Sequence, residues 1–75
     1  MNKADQHVIE EKTARVSDIL EQVEQLNHMI DFHKNQSGEE SMRRQYEDMR
    51  NEFLKELKAI LASFKINIQI KDIAA

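Results

Sequence analysis

With 75 residues, no cysteine, no proline and one glycine, the chain forms one small domain at most, without a disulfide or a thiolate metal site. Charged residues make up 33% and apolar residues 40%, a balance suited to a helical protein and too apolar for a disordered one. The net charge of −3 comes from residues 1–34, where four Lys/Arg face seven Asp/Glu; residues 35–75 balance at seven each, which excludes the broad basic face that nucleic acid requires.

The first element is a helix over about residues 5–34. Val16, Ile19, Val23, Leu26, Ile30 and His33 follow one another in alternating steps of three and four, and Ile9 and Lys12 extend the register backwards. This is an a/d heptad seam. Glu10, Glu11, Asp18, Glu21 and Glu24 fall between the seam positions as a solvated side.

The seam stops at Lys34-Asn35-Gln36-Ser37-Gly38, and residues 35–37 are predicted to turn. Ser37 with Glu40 fits a capping box, in which each side chain takes the other residue's free amide, so a second helix is expected over about residues 38–64. Its apolar stripe is Met42, Tyr46, Met49, Phe53, Leu57, Ile60 and Phe64, and two successive steps of four make Tyr46–Leu57 an eleven-residue unit. Such a stutter locally unwinds a left-handed supercoil.

Folded about residue 36, the two stripes meet in register. Ile30 faces Met42, Leu26 faces Tyr46, Val23 faces Met49, and Ile19 faces Phe53; Val16 with Leu57 and Ile9 with Phe64 continue the series. The fold class is therefore all-α, an antiparallel, coiled-coil-like two-helix hairpin forming a single domain. Leu20, Met29, Phe32, Leu54 and Leu61 lie outside this seam. A chain below about 80 residues rarely buries enough apolar area by itself. Pairing two hairpins into a homodimeric four-helix bundle would cover these side chains.

The last element breaks the helical pattern. In KINIQIK, residues 65–71, Ile66, Ile68 and Ile70 alternate with polar residues, which predicts a short β-strand or extended tail. A continued helix is the alternative, since Ile66, Ile70 and Ile73 are also helically spaced. A strand would need a second strand from another copy or from a client protein. The expected partner interface is thus Leu20, Met29, Phe32, Leu54, Leu61, Ile66, Ile68 and Ile70.

No residue pattern points to chemistry. His28 and His33 are five apart, off the spacing that sets two ligands on one helix face, and Gln25 stands where a Glu-x-x-His pair would need glutamate; neither metal nor cofactor is expected. One glycine rules out a phosphate-cradling loop, and no serine or threonine has a nucleophile's setting. Arg43, Arg44 and Arg50 interleave with Glu39, Glu40, Glu47 and Asp48, as helix ion pairs do. The amino-terminal MNKADQHVIEEK lacks a secretory signal's apolar stretch and the longest apolar run, Ala59–Ala62, spans four residues, so a cytoplasmic location is expected.

These features point to a non-catalytic protein–protein interaction module acting as a small homo-oligomer: an adaptor, a small chaperone masking another protein, or a structural subunit. The alternative uses residues 53–71, where Lys55, Lys58, Lys65 and Lys71 against Glu56 accompany a broad apolar face. Basic amphipathic segments of that kind bind membrane surfaces or peptide-accepting grooves.

Overall fold

The computed structural model describes residues 3 to 70. Two antiparallel helices, α1 (Lys3–Phe32) and α2 (Glu40–Ser63), are joined by a π-helical turn, His33–Ser37. The chain is an all-helical hairpin, and among the described residues there is no strand.

The α1 seam follows the heptad pattern. Ile19 and Leu26 are buried, and Lys12, Val16, Val23, Ile30 and His33 are half-buried along the same stripe, whereas Ile9 is exposed. Apolar side chains at alternating steps of three and four share one side of a 3.6-residue helix, so they face α2 together.

Helix α1 does not break at residue 35. It widens into the π turn, which carries the His33 ring over α2, where it stacks on Tyr46 at 5.5 Å between ring centroids. Gly38 then adopts φ +68, a left-handed conformation that ends the helical path and that glycine reaches without a β-carbon clash. Helix α2 begins at Glu40, two residues later than the capping box implied. That box does not form. Ser37 Oγ accepts the Glu39 amide at 3.2 Å and lies 2.7 Å from His33 Nδ1, while Glu40 pairs with Arg43 at 3.2 Å. Because the reversal is displaced toward the carboxyl end, cross-helix pairs near the turn, such as Asn27 with Arg50 and His33 with Tyr46, centre beyond residue 36.

The later turn also rotates α2. Its inward stripe is Arg43, Glu47, Arg50, Leu54, Leu57 and Leu61, in steps of four, three, four, three and four. Leu54 and Leu57 are buried and the other four are half-buried. Met42, Tyr46, Phe53 and Ile60 of the expected stripe are half-buried as well, and Leu57 belongs to both, so the two stripes overlap along one broad inward surface. Met49 and Phe64, expected in the seam, are exposed, at 47% and 41%.

The core is small and sits toward the open end of the hairpin: Ile19, Leu54 and Leu57, with Val16, Val23, Phe53, Ile60, Leu61 and Ile70 packed around it. Toward the turn the seam becomes polar. Arg50 Nε donates to Asn27 Oδ1 at 2.6 Å, and Arg43 lies between Glu40 and Glu47. Arg43 Nε is buried and lacks a hydrogen-bond partner. Glu47 Oε1 at 3.3 Å supplies opposite charge there without the alignment of a hydrogen bond.

Residues 66–70 form no strand within this chain: they run without regular secondary structure, with Ile70 against the hairpin's own core; Lys71 and Ile73 lie outside the described residues. The turn after α2 explains it. Lys65 adopts φ +63, its amide bonds the Ala62 carbonyl at 2.8 Å, and the Ile66 amide bonds the Leu61 carbonyl at 3.0 Å. This pair of bonds is a Schellman turn, which reverses the chain and sends the isoleucines back along the helices.

Candidate functional site

The molecule's candidate site is a surface. Helix α2 contributes Met42, Met49 and Phe53 along one flank, and α1 contributes Met29 and Phe32. At 3.6 residues per turn Met29 falls on the same side of the α1 seam as Gln22 and Arg15. Arg15 crosses the helix boundary on that side, with its Nη2 2.8 Å from Glu56 Oε1 and its guanidinium carbon 5.9 Å from the centre of the Phe53 ring. The contact places the Met29 flank of α1 and the Met49 flank of α2 on one broad side of the hairpin. Met49 (47%), Phe32 (50%) and Met29 (37%) are exposed there, with Met42 half-buried beside them.

The eight residues expected at a partner interface divide. Met29 and Phe32 join this exposed face. Leu20 is exposed, but it falls on the opposite side of the layer, one heptad before Asn27. Leu54 is a correction: it is 5% exposed and belongs to the hairpin's own core, because the rotation of α2 turned it inward. Leu61 is half-buried against that core, and so is Ile70. Ile68 is half-buried and Ile66 remains exposed. Met49, expected in the seam, joins the exposed face instead. Its signal lay in the strict heptad through Arg43, Glu47 and Arg50, which the charges on those residues disguised.

Ion pairs brace the face. The Arg15 guanidinium donates to both Glu56 oxygens and to Asp18 at 2.6 Å. The hydrogen bond from Arg15 holds the Glu56 carboxyl below its ordinary range, and the bond to Glu56, with the charges of Glu56 and Asp18, raises Arg15 above its own. His7–Glu11 at 3.0 Å and His28–Glu24 at 3.1 Å are exposed pairs one turn apart on α1. Among the described residues no three metal-binding side chains cluster, and no helix is long and apolar enough to cross a membrane.

A depression of about 440 Å³ is lined by Glu40, Ser41, Arg44, Gln45 and Asp48, all from one stretch of α2. A second, of about 180 Å³, lies at the turn among His33, Lys34, Gly38, Glu40 and Arg43. Glu40 pairs with Arg43 beside it, so the cationic side chains of the smaller depression are partly neutralised.

No family model, no curated protein and no solved structure matches this chain.

Proposed function

We propose that this chain is a non-catalytic protein–protein interaction module, a helical hairpin that pairs with a second copy through the Met29, Phe32, Met42 and Met49 face to form a four-helix bundle. The observation that carries the reading is that face: a layer one helix thick leaves Met29 and Met49 in water on the side marked by the Arg15–Glu56 contact, with Phe32 exposed at the end of α1. Methionine is unbranched and polarisable, and it adapts to an opposing surface with few geometric demands.

Sedimentation of the full chain tests the reading, with dimeric mass expected at micromolar concentration. Changing Met29→Glu together with Met49→Glu places like charges at the centre of the pairing, so association should weaken by at least about a hundredfold. Both positions are exposed in the hairpin, so its helical circular dichroism should persist. A wild-type monomer, or a dimer indifferent to the double substitution, rejects the proposal.

The membrane or groove-binding reading of residues 53–71 has less support. Leu54 and Leu57, which would carry its apolar side, are enclosed by α1 and the tail. Binding through them would require the hairpin to open.

A further inference from the structure

The carboxyl-terminal tail takes no part in the face just described. It lies on the core cluster of Ile19, Leu54 and Leu57, with Ile70 packed against that cluster and with Ile68 half-buried. The hairpin therefore offers an apolar seat for Ile70, and the chain's own tail fills it. Two features make that closure easy to undo. The reversing position, which glycine usually occupies, is Lys65 at φ +63, where a β-carbon is crowded by the following carbonyl. Beyond Ile66, among the described residues, no backbone hydrogen bond ties the tail to the helices. Side-chain packing alone holds residues 67–70 in place.

We propose that the tail is exchanged between copies, residues 66–70 of one protomer occupying the seat over Ile19, Leu54 and Leu57 of its partner. The inference rests on the dimer reading and adds the identity of the segment that crosses. The seat and its occupant are the same in the closed and exchanged forms, so packing is conserved. What changes is the hinge: a crossing tail frees Lys65 from the left-handed region. Exchange of an identical element is a low-cost route to a dimer when the hinge is strained.

The full-length chain tests this without alteration. In a mixture of isotope-labelled and unlabelled protein, filtered nuclear Overhauser spectra should show contacts from Ile70 methyls of one copy to Leu54 and Leu57 methyls of the other. A dimer whose Ile70 contacts are all intramolecular overturns the exchange and leaves the dimer reading standing. A monomer at every concentration overturns both. The hinge supplies a second measurement. Lys65→Gly removes the penalty of the closed form at both hinges, so the dimer's dissociation constant should rise roughly tenfold or more. A dissociation constant that stays the same or falls counts against the exchange.

Discussion

Gly38 and Glu56 each concentrate a measurable share of the fold in one residue. Gly38 sits at φ +68 with open space where a β-carbon would stand, so Gly38→Ala meets no steric neighbour and its effect comes from the backbone alone. The left-handed conformation costs an alanine about 1–2 kcal/mol. For a chain of this size each kcal/mol lowers the melting temperature by about 4–8 °C. Thermal denaturation of the Ala variant should show that drop, and an unchanged midpoint would mean that the turn does not constrain the chain. Glu56 predicts a pH dependence. Its carboxyl is held below the ordinary value of 4.5 by the hydrogen bond from Arg15. In the window between those values the unfolded chain binds more protons than the folded one, so stability falls as the pH falls. Above 4.5 the contribution is fully present. Melting temperatures followed down through that window should decline less steeply for Glu56→Gln than for the native chain.

Between the two helices, the packing register is the quantity to test. The rotated α2 makes Leu54 core and Met49 surface, and the two positions should respond in opposite ways. Leu54→Ala empties a site enclosed by Ile19 and Leu57, which costs roughly 2–5 kcal/mol. Met49→Ala, measured at a dilution where copies are apart, should stay within about 0.5 kcal/mol. Chemical denaturation of both variants checks the assignment, and a reversed ranking would restore the stripe through Met49. The contrast shows how far the sequence could be read. Helix α1 was legible because its seam positions are nearly all aliphatic, so periodicity and burial coincide. Helix α2 was misread by about one position because the turn-proximal half of its true seam is Arg43, Glu47 and Arg50. Hydrophobic periodicity is silent where a seam is polar, and the half-buried flank at Met42 and Tyr46 drew the exposed Met49 into the stripe with it. The tail's alternation was real, but alternation reports two-sidedness and not a ladder. A tail with one side half-buried against a helix pair produces the same pattern as a strand. The turn that determines the outcome depends on a lysine at a position usually held by glycine, which no spacing rule anticipates.

At the scale of the whole molecule, the decisive quantity is how folding depends on concentration. Among the described residues four hydrophobic side chains are buried, Ile19, Leu26, Leu54 and Leu57, and the structure measures 52 × 22 × 13 Å, the thickness of one helical layer. A layer of that kind has two broad sides. The returning tail packs on the core near the open end, while Met29, Phe32 and Met49 remain in water. If a second copy covers that side, association and folding are linked, and the folded state gains stability in proportion to the logarithm of protein concentration. The melting temperature should then rise steadily across about a hundredfold range of concentration and flatten for the Met29→Glu, Met49→Glu chain. A change in salt provides the control, because burial of methionine and phenylalanine responds weakly to screening while surface ion pairs such as Lys55–Glu52 respond strongly. A midpoint that depends on concentration but little on salt identifies apolar pairing of copies as the source of the missing stability. A midpoint flat in concentration would instead show that the hairpin and its returning tail suffice alone, and the exposed methionine face would then need an occupant other than this chain.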